Sequence, residues 1–210
     1  KTSSIKLEDS LISKDIKIIG LYDPEDYDLD ISMWINSDGD QLKNIFSKLE
    51  KINLSDDATE IMKISLLTNA HIPTKNITEK EFLKFKSDWL IKNSDLILIE
   101  EYLVKNQVFN HHPKLTKYLV DEYLSEANIE KACGLFLKVL EPINDDYLSK
   151  FHIYCLFNLG KIDEAQLLFD LKKELGFRDK YFENKINYLF GYTAKVNSEI
   201  SEKNILDFHL

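Results

Sequence analysis

Apolar positions recur with a period of 33 residues over 78–182, and this recurrence organises more of the chain than any other pattern. A period between about 20 and 50 residues is typical of stacked supersecondary units, because one unit alone cannot bury its apolar face. Apolar residues within each period fall at helical spacing, so the pattern predicts an all-α solenoid of antiparallel helix pairs. The residues that coincide in this register are Phe82, Leu115 and Leu148; Phe85, Tyr118 and Phe151; Leu96, Ile129 and Ile162; Ile99, Ala132 and Ala165; and Leu103, Phe136 and Phe169.

The predicted helices alternate with short breaks. Thr78 and Glu81 form a capping-box signature at the start of the first repeat, and Gly176 is a typical helix stop after the third. A further first helix is expected over 181–192, with 205–208 beginning its partner. The remaining repeat helices are predicted over 78–93, 95–106, 114–126, 129–140, 146–158 and 162–175.

The chain before the repeats divides into an arm and a hairpin. Residues 1–37 are predicted to form an extended, acidic and irregular arm, with Trp34 as the large apolar residue that docks it onto the helical body. Residues 38–70 contain two apolar patterns at helical spacing and predict a helical hairpin. The helical-repeat domain is therefore predicted to span 38–210, with the repeats themselves over about 78–210.

The composition fits a folded helical chain and disfavours two classes of partner. Hydrophobic residues make up 44% of the sequence, and its 6 Gly and 4 Pro are too few for a turn-rich β fold. The net charge of -9 repels phosphate backbones and anionic membrane surfaces, so we expect no nucleic acid partner. No apolar run approaches the ~20 residues that span a bilayer, which predicts no membrane insertion. Abundant Ile, Lys and Asn are typical of an AT-rich, bacterial genome.

Two features leave the compartment open between cytoplasm and periplasm. The sequence begins at Lys1, so we expect a processed or trimmed form. Cys133 and Cys155 lie on neighbouring predicted helices and are too few for a disulfide framework or a metal site. Two interpretations of this pair stay open: small apolar core residues, or a disulfide formed in an oxidising compartment.

Residues 159–165 with Phe169 resemble the turn and second helix of a tetratricopeptide repeat. In that family a small residue that tolerates positive φ ends the turn, here Gly160, and an alanine, here Ala165, lets two helices approach closely. Residues 127–136 repeat the pattern more loosely, and the period is 33 residues where the family has 34. The resemblance implies a right-handed array of helix pairs, whose first helices face a concave groove that holds other proteins.

Three lysines in register, one on the first helix of each repeat, are the candidate binding residues. By the resemblance, their position faces the concave groove. A lysine row beside apolar residues suits an extended or helical protein segment that carries acidic groups. The alternative is that these lysines solvate an exposed face and pair with Asp or Glu one turn away. The predicted partner-binding residues are Lys84, Asp88, Lys117, Asp121, Lys150, Tyr154 and Phe157.

The sequence contains no recognisable catalytic or cofactor-binding signature. His111 and His112 are adjacent before a proline, and adjacent imidazoles rarely ligate one ion. Cys155 and His152 share a helix face as a nucleophile and base could, but their apolar neighbours favour core packing. We therefore expect no enzyme, no cofactor and no metal ion. The expected function is a scaffold or adaptor for a protein or peptide partner; the alternatives are a helical accessory domain of a larger enzyme, and self-association through uncovered repeat ends.

Overall fold

The computed structural model describes residues 18–195 and 198–210, so the first part of the predicted arm, 1–17, lies outside the described residues. Helices dominate this part of the chain, and the mainly α fold class is confirmed. None of the helices in these ranges is both long and apolar enough to cross a membrane. The α-helices are α1 (Gly39–Leu49), α2 (Asp56–Leu67), α3 (Glu79–Asn93), α4 (Leu96–Asn106), α5 (Pro113–Ser125), α6 (Ile129–Phe136), α7 (Asp146–Asn158), α8 (Ile162–Glu174) and α9 (Lys180–Leu189).

Most helices begin at a polar residue that caps them. Glu81 N donates to Thr78 Oγ1 at 3.2 Å and Thr78 N donates to Glu81 Oε2 at 2.8 Å, which is the capping box expected from the sequence. Helices α5 and α8 differ, because neither has a side-chain cap; α5 has Pro113 in its first turn. Such caps satisfy amides that a helix end leaves free. The capping side chains belong to Asp38, Ser55, Thr78, Asp95, Asn128, Asp145 and Asp179.

The turns between paired helices adopt the same backbone conformation at equivalent places. Gly160 has φ +74° between α7 and α8, and Ala127 has φ 56° between α5 and α6. Positive φ is easy for glycine and costly for an L residue, so alanine at this place is held there by its surroundings. Gly160 thus has the conformation that the resemblance implied.

Buried apolar side chains follow the 33-residue period. Ile99, Ala132 and Ala165 are fully buried at equivalent positions of the second helices. Ile162 departs from the pattern, since it starts α8 at the surface and is partly exposed. The buried residues form a main cluster from α1 to α7 and a smaller one around α7, α8 and α9. The other buried residues of the register are Phe82, Leu103, Leu115, Phe136, Leu148, Phe151 and Phe169.

Polar contacts between successive first helices also recur at equivalent positions. Lys114 Nζ, at the start of α5, donates to Asp88 Oδ1 of α3 at 2.7 Å. Tyr147, the equivalent residue at the start of α7, donates its hydroxyl to Asp121 of α5. Both contacts join residues 26 positions apart. The α3–α5 pair and the α5–α7 pair are therefore each joined by a polar contact at the same register position.

Helix α6 ends at Phe136, four residues before the predicted end at 140. Gln107 supplies the competing partners, because its Nε2 donates to Lys138 O at 3.0 Å and its Oε1 accepts from Leu140 N at 3.1 Å. The backbone groups of Lys138 and Leu140, which would continue α6, are thereby bound to Gln107 at the end of α4. The helix stops where this tertiary contact begins.

Residues 18–37 lie against the helical body. Strand β1 (Ile18–Ile19) pairs antiparallel with strand β2 (Ala70–His71), with Ile19 opposite Ala70. A β-carbon on Gly20 would lie 2.5 Å from backbone atoms of the turn after α2, so this close approach requires glycine. The ring centroid of Trp34 lies 5.6 Å from that of Phe82 on α3. Trp34 thus contacts the helical body, as expected of the residue that docks the arm.

Cys133 and Cys155 are joined by a disulfide that links α6 to α7. Their Cα atoms lie 5.1 Å apart, and both residues are buried. Of the two interpretations left open by the sequence, the structure has the bridged form.

The end of the described chain differs from the prediction. Residues 205–208 were expected to begin a second helix beside α9, but Ile205–His209 form a 3-10 helix packed against α5. The described part of the connection after α9 contains neither helix nor strand, and it carries the chain back across the first helices. Leu206 is then fully buried in the main core cluster, which fixes this return.

Candidate partner-binding face

The three lysines in register do not form one exposed row. Lys84 is exposed and donates to Asp88 of its own helix. Lys117 is exposed, with its Nζ 4.4 Å from the centroid of an aromatic ring of α7. Lys150 is only 8% exposed, and its Nζ lies 2.7 Å from Asp179 Oδ2 because the start of α9 covers it. Lys150 therefore forms an ion pair with Asp179 inside the protein, which corrects the expectation that Lys150 faces a partner.

The two acidic residues of the predicted set have different electrostatic environments. Burial raises the pKa of Asp88, but hydrogen bonds from Lys114 and Lys84 outweigh it and hold the pKa below its usual range. Burial also raises the pKa of Asp121. The hydrogen bond from the Tyr147 hydroxyl lowers this pKa by less than burial raises it, so the pKa of Asp121 stays above its usual range. Asp88 has two ammonium donors, whereas Asp121 is more deeply buried and has a neutral hydroxyl donor with a weaker attraction from Lys117, which explains the opposite directions.

Tyr154 lies in the interior of the described structure, whereas Phe157 is partly exposed. Tyr154 is buried in the main cluster, and this burial raises its pKa. Phe157 is half-buried, with its ring centroid 6.2 Å from that of Phe190. Burial of Tyr154 corrects the expectation that its ring is open to a partner, whereas the expectation for Phe157 stays a prediction.

A cavity of about 340 Å³ lies between the starts of α3 and α5. Lys84, one of the predicted partner-binding residues, lines this cavity together with Lys114. The amines of Lys84 and Lys114 both bind Asp88. We call this site the lysine-rimmed cavity; it is lined by Thr78, Lys80, Glu81, Lys84, Ser87, His111, His112, Pro113 and Lys114.

The buried floor of this cavity is a polar network. His112 Nδ1 lies 2.6 Å from Ser87 Oγ, and its Nε2 lies 3.0 Å from the hydroxyl of Tyr102. Ser87 also donates to Leu83 O at 3.0 Å. One assignment satisfies every group: His112 Nδ1–H donates to Ser87, and its Nε2 accepts from Tyr102. Burial lowers the pKa of His112 to about 3, with Lys86 adding to the effect, so the imidazole is neutral at pH 7.

This network joins α3 and α4 to the residue before α5 through buried polar groups. In the satisfied arrangement the Ser87 proton goes to Leu83 O, whereas an activated serine donates its proton to the base. The other pair considered from the sequence, Cys155 and His152, is also inactive as a nucleophile and base. Cys155 is in the disulfide, and His152 packs 5.4 Å from the ring of Phe136.

Residues 198–210, here called the returning segment, cover another part of the first helices. The hydroxyl of Tyr181 on α9 donates to Asp207 O at 3.2 Å. His209 Nε2 lies 3.2 Å from Leu124 O of α5. The segment therefore reaches from α9 to α5.

Metal binding finds no support in the described ranges 18–195 and 198–210. No group of three or more His, Cys, Asp or Glu there is placed to hold an ion. His111 instead has Nδ1 3.4 Å from Glu79 Oε1. In the arm, Asp30 accepts hydrogen bonds from the backbone and hydroxyl of Ser32.

Sequence reasoning missed Lys114 and the returning segment. Lys114 could have been found from the register, because it occupies the same place in its repeat as Tyr147. The returning segment has a weaker signal, the apolar pair Ile205–Leu206 at the end of a polar stretch. Nothing in the local pattern says which helices that pair contacts.

No protein-family model, curated protein or solved structure matches this chain.

Proposed function

We propose that this protein is a non-catalytic adaptor that binds an acidic segment of a partner protein at the lysine-rimmed cavity. The observation that carries the proposal is a cavity of about 340 Å³ with exposed amines at its edge. Binding sites for small groups are typically concave, largely apolar and lined by a few convergent polar groups. This cavity has the ring of Pro113 and the stems of its lysines as apolar surface.

The charges at the rim favour an anionic ligand. The side chains of Lys84 and Lys114 are 64% and 66% exposed, whereas that of Asp88 between them is 14% exposed. Two ammonium groups share this one carboxylate, so these three side chains keep a net positive charge, and Glu81 of the lining is paired with Lys43 Nζ at 2.9 Å. A carboxylate from a partner can bind the accessible amines, and Lys80 adds a third amine to the lining.

The helical arrangement supports an adaptor with tetratricopeptide-like repeats. Second helices begin at Ile129 and Ile162, and the turns before them have equivalent positive-φ residues. The recurring contact from Lys114 to Asp88 and from Tyr147 to Asp121 aligns the first helices on one side. We infer a solenoid of helix pairs, an architecture that commonly presents such a face to other proteins.

The test is a selection of displayed random peptides on the wild-type chain, followed by fluorescence anisotropy with the peptides recovered. We expect peptides rich in Asp and Glu, whose affinity falls as salt is raised, because exposed charges are screened. A Lys84→Glu/Lys114→Glu double variant should bind them at least about 10-fold more weakly, since two attractive contacts become repulsive. The matched control, Lys48→Glu/Lys51→Glu, changes the same charge at exposed lysines outside the cavity.

Three results would refute this function. They are the recovery of no binding peptide, the recovery of peptides without acidic residues, and equal affinity for the two double variants. Circular dichroism of both variants checks that the helices are kept.

A further inference from the structure

The arm presents an acidic surface whose charges are not neutralised by the described chain. Residues 23–30, here called the acidic turn, contain five acidic residues and no basic one, and Glu25, Asp26 and Asp28 are exposed. The ion pairs formed among the described residues leave all five carboxylates without a basic partner. A dense surface charge of one sign attracts a surface of the opposite sign. The lysine-rimmed cavity is a surface of that opposite sign on the same chain.

The acidic turn is held in one shape by hydrogen bonds at its base. Asp23 caps the 3-10 helix Pro24–Tyr27, with its carboxylate accepting from the backbone N–H of Glu25 at 3.0 Å. Just before the turn, the carbonyl oxygen of Tyr22 accepts from Asn69 N at 2.9 Å, which ties the turn to the residues after α2. A ligand that is already ordered loses little conformational entropy on binding. The carboxylates of the turn are therefore presented outward at low entropic cost.

The acidic turn and the lysine-rimmed cavity lie at the same end of the helix pairs. Gly20 N, just before the turn, donates at 3.1 Å to Oδ1 of Asn106, the last residue of α4. The next helix, α5, begins at Pro113, which lines the cavity. Within one chain the two rim amines pair with Asp88 and not with the turn. Two copies related by a two-fold axis can exchange these surfaces, because each contact of a two-fold interface occurs twice.

We propose that the acidic turn of a second copy of this chain binds the lysine-rimmed cavity, so that two copies pair through two equal contacts. The carboxylates of Glu25 and Asp26 of one copy meet the amines of Lys84 and Lys114 of the other. This inference rests on the proposed function, because it uses the same cavity and names one of its ligands. An acidic segment of another protein then competes with the turn, and dissociation of the dimer on dilution frees the site.

Sedimentation velocity over a dilution series tests the pairing. At about 0.1 M salt the Debye length is about 10 Å, so repulsion between two copies of charge -9 is screened while direct ion pairs persist. We expect a wild-type dimer that weakens as salt is raised. Glu25→Lys/Asp26→Lys should raise its Kd at least about 10-fold, because attractive contacts become repulsive. The matched control, Asp170→Lys/Glu174→Lys, changes the same charge at exposed positions of α8 and should dimerise like the wild type.

A mixture of two charge-reversed variants identifies the contact. Lys84→Glu/Lys114→Glu should also be monomeric by itself, since its cavity repels the turn. Mixed with Glu25→Lys/Asp26→Lys, it should form a heterodimer, because one contact then has both charges reversed and the other has its native charges. A mixture that stays monomeric, or a wild-type dimer that the two reversed variants leave unchanged, would overturn the proposal.

A peptide experiment separates this inference from the proposed function. A fluorescein-labelled peptide of residues 22–31 should bind the Glu25→Lys/Asp26→Lys variant, whose cavity is intact and whose own turn cannot compete. A Glu25→Gln/Asp26→Asn peptide should bind at least about 10-fold more weakly, because both charges are lost. A wild type that is monomeric throughout the dilution series but binds the selected acidic peptides refutes the pairing and leaves the proposed function standing. A wild type that neither dimerises nor binds acidic peptides refutes both.

Discussion

The side-chain nitrogen of Lys86 lies 3.1 Å from the carbonyl oxygen of Ile19, which joins α3 to β1 through the interior. Lys86 is 1% exposed, and burial lowers its pKa to about 7. The amine can donate this hydrogen bond in both its charged and its neutral form. Lys86 therefore joins the arm to the helical body at both protonation states, and the free-energy cost of burying its charge is present only while the amine is protonated.

The first prediction is that the free energy of unfolding rises between pH 7 and pH 9. The pKa of Lys86 is about 7 in the folded chain and near 10.5 when unfolded, so the unfolded state binds more protons in this window. Stability then increases with pH, by about 2 kcal/mol over these two units. Lys86→Met should remove this rise. Urea unfolding at both pH values measures it.

An exposed lysine provides the control for this prediction. Lys48→Met changes a solvent-exposed side chain and should keep the wild-type rise. A wild-type free energy of unfolding that is flat from pH 7 to pH 9 would contradict the assignment of a buried, readily neutralised amine. So would an equal rise in the Lys86→Met variant.

The second prediction concerns mild acid and His112. Its pKa is about 3 in the folded chain, against 6.5 as the ordinary value, so the unfolded state binds the extra proton between these limits. Stability is therefore lost as pH falls from 6.5, by about 1.5 kcal/mol on reaching pH 5. In a histidine NMR titration the His112 ring should show no protonation between pH 8 and pH 5. A midpoint near 6.5 would be the contrary result.

The helices were predictable because their causes are local. Apolar residues at helical spacing and caps such as Thr78 and Asp95 act within a few residues, and so does the turn at Gly160. The 33-residue period also predicted burial of Ile99 and Ala165, and both are fully buried.

The candidate site was less predictable because its causes are long-range. Lys150 is covered by the start of α9, where Asp179 pairs with it. Ser87 on α3 hydrogen-bonds to His112, which lies 25 positions further along the chain. Neither environment is encoded in the nearby sequence. Helix α6 was predicted too long for the same reason, since Gln107 of the preceding pair binds its end. Local pattern assigns an element, and tertiary partners decide which of its polar groups remain accessible.

The third prediction is that the disulfide contributes about 3 kcal/mol to the free energy of unfolding. The bridge closes a loop between residues 22 positions apart, and restricting such a loop in the unfolded chain stabilises the folded one by about that amount. A Cys133→Ala/Cys155→Ala variant, measured by urea unfolding, should lose it. The same variant should be insensitive to a thiol reductant that destabilises the wild type. A loss below about 1 kcal/mol would show that the unfolded chain gains little freedom without the bridge.

The fourth prediction tests the close helix contact at Ala165. This residue is fully buried in the smaller cluster, on the face of α8 that packs against α7. Ala165→Trp forces a large ring into a filled interface and should lower the free energy of unfolding by about 2 kcal/mol or more. For a chain of this size that corresponds to a fall in Tm of roughly 4–8 °C. Leu167→Trp, at a position 72% exposed on the same helix, should leave Tm nearly unchanged. Equal melting of the two variants would mean that α8 does not approach α7 through this alanine.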